Sequence, residues 1–435
     1  MSPSKNREAE PPNLAARDAA PSGYDAVHLR QLIAELQGSL SWRMTAPLRF
    51  IARPLFRARV PKTIPSAQAV TTQNGDPVTN GSPGSHGGAM TKIEVVENLE
   101  TPTLGAVSNW YGVHPKFAHA ALEMFVGVDY DRYIEDIHEF QARYKHLQIQ
   151  LDYTLSTNTR GRDLAKQLRE WGVPVDGGES RKSYLDVGVA YGGSLAAFAS
   201  LGYDVTGIEI SEKLGRLGRL NLESSGYAVE TLIGDFLSDE ILTGESKFDL
   251  ITFCDVIEHV MDPEAALRKV CRLLKPGGMA YVAYPTKLSI PYVRADAHAQ
   301  LFGLTLLDYY RARAAYTMYT GWPDFEVSDF YEPEWYLNTA RSAGAQAEVV
   351  YDSSLQAPDV PGEIARLYAA FSEWTKSGAK KLDPLMRHEI MLETAKYSAR
   401  MFQELSEHIA RNSIDQFARK WIDQLTRILI RKPAA

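Results

Sequence analysis

Apolar residues along the middle of this chain fall into short runs separated by stretches with helical spacing. Tyr184–Val187, Val205–Ile208 and Val229–Ile233 are compact apolar runs, each closed by Gly or an acidic residue. Phe248–Val260 (FDLITFCDVIEHV) and Arg272–Pro285 (RLLKPGGMAYVAYP) continue the series, the second with a Gly-Gly break before its strand. Runs of this length, alternating with helical periodicity, predict an α/β fold with a doubly wound, mostly parallel Rossmann-like sheet. Such a sheet binds its ligand at the carboxyl ends of its strands. Upstream, Phe117–Phe125, Tyr130–Leu151 and Arg160–Trp171 have helical spacing, which predicts a helical cap over 105–180, with order resuming near Asn109. Downstream, one further strand is legible near Ala347–Tyr351. The remainder, 353–435, reads as a helical extension: Ile414, Phe417, Trp421, Leu425 and Ile428 follow at i, i+3/i+4. That stripe would pack on the domain or join copies into a homo-oligomer.

The first hundred residues have a different pattern. Residues 1–22 are polar and rich in Pro, Ala and charge, which predicts a disordered tail. Residues 23–62 form an amphipathic, basic segment. From Ser41 to Lys62 there are six basic residues and no acidic one, interleaved with Trp42, Leu48, Phe50, Ile51, Leu55 and Phe56. This suits a segment lying on anionic lipid, with about 1 kcal/mol available per basic residue. The competing reading is a segment that packs on the domain or meets an acidic partner, because Pro47, Pro54 and Pro61 interrupt any long helix. Residues 63–104 read as a flexible linker of Ser, Thr, Gly, Pro, Asn and Gln. The N-terminus has no apolar core of a signal peptide, and no uncharged apolar run reaches membrane-spanning length. A cytoplasmic protein, with peripheral contact at the inner face of the membrane through 41–62, is the expectation.

Composition narrows the class. At 435 residues, with 45% hydrophobic and 23% charged, the chain can bury a large core. A net charge of −7 argues against a nucleic-acid partner, whose footprint would be broadly basic. The two cysteines, Cys254 and Cys271, have no metal-ligand spacing and read as buried small hydrophobes.

Chemistry concentrates in Ser183–Ser211, SYLDVGVAYGGSLAAFASLGYDVTGIEIS. Gly188, Gly192 and Gly193 turn the first strand into a helix, where backbone can approach a ligand and free N–H groups point outward. Asp186 at the loop mouth would repel a pyrophosphate and attract a cation. Glu209, at the end of the second strand, can accept from ribose hydroxyls.

LDVGVAYGG, GIEIS, IGDF, FDLITFCDVIEHV and LLKPGGMAYVAYP together resemble the class I S-adenosylmethionine-dependent methyltransferases, especially their ubiquinone O-methyltransferase-like branch. The resemblance covers Ser183–Pro285, with an echo in 330–350, and implies a methyltransferase domain over 181–352 with an acceptor-side insert at 285–329. It implies that Asp186, Gly188, Ala190, Gly192 and Gly193 line the methionine part of S-adenosyl-L-methionine. Glu209 and the neighbouring Ile210 would take the ribose, Asp235 and Phe236 the adenine, and Asp255–Val256 would close over the adenosyl group. Ala190 departs from the family, which often has glycine there. Relatives also finish with two strands after the insert, so the seventh strand is either disguised or lost. SWRMTAPLR (Ser41–Arg49) resembles a segment in enzymes of bacterial surface-polysaccharide assembly, which implies a glycan acceptor.

Methyl transfer needs an oriented acceptor and, for a hydroxyl, a base. His298, in the insert, is the first base candidate and His259 the second; His259 alternatively orders its turn by hydrogen bonding. Tyr284, ending the fifth strand, would shape the space around the methyl group. Tyr292, Phe302, Tyr309, Tyr310, Tyr316, Tyr319 and Trp322 would stack on an acceptor or form the core of a helical subdomain. Asp255, Glu258 and His259 resemble the divalent-ion set of some related O-methyltransferases, which would hold Mg²⁺. The same string occurs in relatives that need no metal, and the metal-free reading is taken. The expected function is transfer of a methyl group to a hydroxyl, on a sugar or lipid-linked glycan, or alternatively on a quinone or other small molecule. An NAD-dependent oxidoreductase and a non-catalytic binding protein are the rival classes.

Overall fold

The computed structural model describes residues 100–434 apart from 179–180, 239, 324, 329–330 and 353–358. The expectations for residues 1–99 lie outside the described residues. Five helices come first: α1 (Pro102–Tyr111), α2 (Pro115–Phe125), α3 (Ile137–Arg143), α4 (Gln148–Leu155) and α5 (Thr157–Glu170). The central region then runs β1 (Ser183–Val187), α6 (Gly193–Ser200), β2 (Asp204–Glu209), α7 (Glu212–Ser224), β3 (Glu230–Ile233), β4 (Phe248–Cys254), α8 (Pro263–Leu273) and β5 (Leu274–Pro285). After it come α9 (Ile290–Arg294), α10 (Tyr309–Thr320), α11 (Pro333–Ser342), β6 (Gln346–Val350), α12 (Val360–Lys376), α13 (Pro384–Ala410), α14 (Ile414–Trp421) and β7 (Leu425–Arg431).

Helical structure starts earlier than the expected linker end at 104. Thr101 caps α1 by accepting from the Leu104 N–H, and Pro102 supplies a pre-set φ at the first helical position. The same device opens α8 at Asp262-Pro263 and α13 at Asp383-Pro384.

The seven strands of the described residues form one sheet in the order β3-β2-β1-β4-β5-β7-β6. β1 to β5 pair in parallel, while β7 runs antiparallel between β5 and β6. The order reverses between β1 and β4, which places a crevice at their carboxyl ends.

β7 corrects the expectation of a helical extension over 353–435. Ile414, Phe417 and Trp421 do lie on a helix, but Leu425 and Ile428 belong to a strand. Thr426 to Ile430 are all buried because β7 is covered on both faces. A strand buried on both faces reads as a continuous apolar run, and here that run follows directly on a helical stripe with the same spacing.

Helices α12 to α14 are therefore an insertion between two sheet strands. They share one core with the 285–329 insert, built from Phe302, Tyr319, Trp374, Ile390, Met401, Phe417 and Trp421. Phe302 stacks on Trp374 at 5.4 Å, and the Tyr319 hydroxyl accepts from Trp374 Nε1 at 2.5 Å. Phe302 and Tyr319 thus go to a helical subdomain, whereas Tyr310 and Trp322 are exposed. At the other end, α1 to α4 pack Phe117, Leu122 and Phe140 together with Tyr191 of the Gly-rich loop and Leu217 of α7.

Candidate cofactor site

The loop after β1 is fixed from three sides. Gly188 and Val189 N–H donate to the Ile208 carbonyl of β2 at 2.8 and 3.2 Å. Glu209 accepts from the Ala190 N–H through Oε2 at 2.8 Å and from the Ser211 N–H through Oε1 at 2.9 Å. Asn221 of α7, fully buried, donates to the Tyr191 carbonyl and to Asn158, each at 2.8 Å. Gly188 has φ +80°, and a Cβ there would run into the Val256 side chain. Ala190 adopts φ +45°, the left-handed conformation that glycine takes without cost.

Gly193 has a further role. A Cβ on Gly193 would collide with the Thr157 backbone, and one on Gly161 with the Gly193 carbonyl. These two glycines let α5 and α6 cross in contact, so α5 lies directly against the loop. Thr157 Oγ1 accepts from the Gly193 N–H at 3.2 Å.

A cavity of about 380 Å³ opens beside this loop. Asp186, Gly188, Ala190 and Gly193 line it from below, and Cys254 and Asp255 from the end of β4. Tyr153, Thr157, Arg160 and Gly161 close it from α4 and α5, and Tyr281, Ala283 and Arg427 from β5 and β7. Asp186 is 5% exposed and accepts from Thr252 Oγ1 at 2.6 Å. Burial lifts its pKa to about 7; the Thr252 and Tyr184 hydrogen bonds and Arg160 oppose this, while Glu209 adds to it. Burial also raises Asp255, against the pull of Arg160, His259 and Arg427. The Arg160 guanidinium lies over the Tyr153 ring, 3.7 Å from its centroid, and donates to the Tyr153 carbonyl at 3.0 Å. Its buried Nε has no hydrogen-bond partner among the described residues.

Several expected residues stand elsewhere. Tyr284 does not face this cavity: side chains alternate along β5, so Tyr281 and Ala283 point in and Tyr284 points to the other face. There its ring lies tilted against that of Tyr336, centroids 4.3 Å apart, within the core under α8 and α11. Phe236 is likewise a core residue, edge-on to Phe253 at 5.6 Å with Lys269 over its ring. Ile210 is 72% exposed, and Asp235 is exposed with Oδ1 accepting from the Leu237 N–H. His259 and His298 are not among the cavity-lining residues; their rings meet edge to face at 4.9 Å beside Glu258. Burial and the neighbouring His259 lower His298 to about 4. Arg160, Tyr153, Thr157 and Arg427 were missed by sequence reasoning. Arg160 lay inside a segment already read as a helix and had no motif around it, and Arg427 was hidden with β7.

The family described as a methyltransferase domain matches residues 157–328. Over that stretch the chain is similar to a methyltransferase domain. This chain is 33% identical over 119 residues to a ubiquinone biosynthesis O-methyltransferase of Thiobacillus denitrificans, covering 27% of this chain and 51% of that protein. Its similarity to the ubiquinone biosynthesis O-methyltransferase of Bordetella avium is 34% over 113 residues, 26% of this chain and 46% of that protein. The chain thus spans about half the length of the curated relatives it matches. Among solved structures, a SAM-dependent methyltransferase from Archaeoglobus fulgidus aligns at 14% identity and a TM-score of 0.34, covering 62% of this chain and 94% of that one.

Proposed function

We propose that this protein transfers the methyl group of S-adenosylmethionine to a hydroxyl of a small acceptor. The observation that carries the reading is the cavity beside the Gly-rich loop, with the buried Asp186 carboxylate on one wall and the half-buried Arg160 guanidinium on the other. Its residues fit a zwitterionic methionine group joined to a nucleoside. Asp186 is placed for cationic charge, and Arg160, with a free buried Nε, for a carboxylate. Gly188 and Ala190 lend backbone to the close approach, and Gly192 turns it with φ +79°. Glu209 keeps a lone pair on each oxygen for ribose hydroxyls after serving Ala190 and Ser211. Ile210 and Asp235, exposed at the ends of β2 and β3, would border the adenosine, and Asp255 with Val256 would cover it.

When bound, the cofactor supplies a methyl group already activated by its sulfonium charge. What remains for the protein is to orient the acceptor in line and to exclude water. Tyr153, Tyr281 and Ala283 are the less polar wall suited to that. A base for the acceptor proton is not assigned to His298 or His259, since neither lines the cavity.

Calorimetric titration with S-adenosylhomocysteine tests the reading: micromolar binding without NADH binding supports it, and the reverse result overturns it. The acceptor separates two finer readings. The relatives matched across the domain are named for ubiquinone biosynthesis, which favours a quinone hydroxyl. SWRMTAPLR favours a sugar or lipid-linked glycan of surface-polysaccharide synthesis. Labelled methyl transfer to each acceptor class distinguishes them.

Peripheral membrane contact through 41–62 remains part of the proposal. No helix among the described residues is long and apolar enough to cross a membrane. The full chain is expected to float with anionic vesicles, while a chain starting at Thr91 stays in the pellet fraction.

A further inference from the structure

The cavity beside the Gly-rich loop runs across four strands. Gly188 follows Val187 of β1, Cys254 follows the paired Phe253 of β4, Cys254 pairs with Ala283 of β5, and Ala283 pairs with Arg427 of β7. All four of Gly188, Cys254, Ala283 and Arg427 line the cavity. Three strand spacings separate the first from the last, about 14 Å of floor. Asp186 and Arg160 stand toward the loop end, and Arg427 stands at the other. Three carboxyl groups, Asp163, Asp186 and Asp255, line this space against two guanidinium groups. Among the described residues, an anion entering it therefore finds a cationic partner only at Arg160 or Arg427. The proposed function gives Arg160 to the carboxylate of the cofactor, which leaves Arg427.

Arg427 is spent on one edge and unspent on the other. It is 7% exposed. Its Nη1 donates to Asp423 Oδ2 at 2.9 Å and to the Leu425 carbonyl at 3.0 Å, which uses both hydrogens of that nitrogen. Asp423 is held in turn, its Oδ1 accepting from the Leu425 N–H at 3.2 Å. Nε and Nη2 make no hydrogen bond among the described residues. Those two nitrogens carry the parallel N–H pair that grips a carboxylate or phosphate at two points. A buried donor pair without acceptors is costly, and an oxyanion seated on it removes that cost. Asp423 offsets the charge of Arg427 and fixes the plane of its fork, so the edge discriminates by directed hydrogen bonds. Tyr281, Ala283 and Leu425 supply the apolar wall beside it.

We infer that Arg427 selects the acceptor, its Nε–Nη2 edge receiving an oxyanion, carboxylate or phosphate, that the acceptor carries on a body packed against Tyr281 and Leu425. The inference rests on the proposed methyl transfer, since only that reading makes the occupant an acceptor. With the cofactor at the loop end, the Arg427 end is the part of the cavity left for a second molecule. An oxyanion anchored there fixes the acceptor at a point remote from its reacting hydroxyl, and binding at such a point orients the hydroxyl.

The test is calorimetric titration of the full chain with benzoate, phenyl phosphate and the neutral isostere benzamide, both saturated with S-adenosylhomocysteine and without it. Benzoate or phenyl phosphate is expected to bind at least tenfold more tightly than benzamide, and whichever is preferred tells a carboxylate from a phosphate. R427Q should abolish the preference. R427K, which keeps the charge but not the fork, should reduce it at least threefold. Affinity for S-adenosylhomocysteine should stay within about threefold in both variants, because Arg427 lies at the end away from the loop. R427Q leaves Asp423 unpaired, so the double variant R427Q/D423N is measured beside it, with the melting temperature as the check on folding. A preference retained in R427Q or in the double variant, or no preference in the native chain, would overturn the inference. So would a tenfold fall in S-adenosylhomocysteine affinity in R427K, which would assign the guanidinium to the cofactor. A native chain that selects the oxyanions yet binds no S-adenosylhomocysteine would instead overturn the methyltransferase reading and leave the oxyanion site in place.

Discussion

Asp186 is a fully enclosed carboxyl group in the candidate cofactor cavity. Its carboxyl is buried, and its pKa of about 7 lies well above the 3.8 of the free side chain. Arg160 and the Thr252 hydroxyl favour its ionised form, while Glu209 disfavours it. A folded-state pKa raised in an acid means that the native protein holds a proton the unfolded chain has lost. Stability is therefore highest below about pH 4 as far as this group is concerned, and falls as pH rises toward 7, by up to about 4 kcal/mol in the limit. Asp186→Asn keeps the acceptor oxygen for Thr252 and removes that loss. Its melting temperature should exceed the native value at pH 8 and match it below about pH 4. In the native chain a cationic ligand favours the ionised form, so affinity for S-adenosylmethionine should rise through pH 7, and Asp186→Asn should bind at least tenfold more weakly without that rise. A residue-level departure from the family has a simpler consequence. Ala190 sits at φ +45°, where glycine is unstrained and alanine costs about 1 kcal/mol. Ala190→Gly should leave stability unchanged or raise it by less than about 1 kcal/mol, since the added freedom of the unfolded chain offsets part of the gain. Denaturant midpoints at constant slope measure this.

At the scale of elements, the crossing of α5 over α6 decides whether the cavity has a second wall. Gly161 and Gly193 meet backbone to backbone, and Arg160 and Thr157 reach the site because no side chain separates the helices. Gly161→Ala adds one methyl group where only the Gly193 carbonyl stands. Helix propensity favours alanine by about 1 kcal/mol, but overpacking of this kind costs about 1–3 kcal/mol. Net destabilisation is therefore expected, with a loss of homocysteine-cofactor affinity larger than that of Gly105→Ala, whose added Cβ meets nothing within 4 Å. Equal affinity in the two variants would show that the α5 wall does not form the site. The same comparison explains what was legible in the sequence. The Gly-rich loop, Asp186 and the alternation of β1 to β5 are local patterns, and each appears where its spacing implies. Gly193 as a helix-crossing residue, Arg160 as a cavity wall and Tyr284 as a core residue depend on which face an element turns to its neighbour. Tyr284 shows the limit most plainly, because a shift of one position in β5 moves a side chain from the cavity to the opposite core.

For the molecule as a whole, the position of β7 changes how the chain can be divided. Reading 353–435 as an appended helical extension implies a catalytic domain that ends near 352 and survives without it. In the structure, β7 is the strand that joins β6 to the rest of the sheet, pairing with β5 from Met279 to Pro285 and with β6 from Gln346 to Val350. Arg427 of β7 also lines the cofactor cavity, where Asp423 holds its guanidinium at 2.9 Å. A chain ending at residue 352 would lose that wall, detach β6 and leave the interior strand β5 with an open, apolar edge. It would also strip the 285–329 insert of the core it shares with α12 to α14, exposing Phe302 and its neighbours. Such a truncation is expected to be insoluble or to lack a cooperative melting transition. A chain that instead keeps β7 and replaces only the exposed Lys380 and Lys381 of the turn between α12 and α13 by Gly-Ser should melt as one unit within a few degrees of the native protein. Cooperative folding of the 352 truncation, with cofactor affinity intact, would mean that β7 and its helices are accessories to a self-sufficient domain. The shared core and the place of β7 between β5 and β6 argue that the sheet closes only when the last strand has arrived.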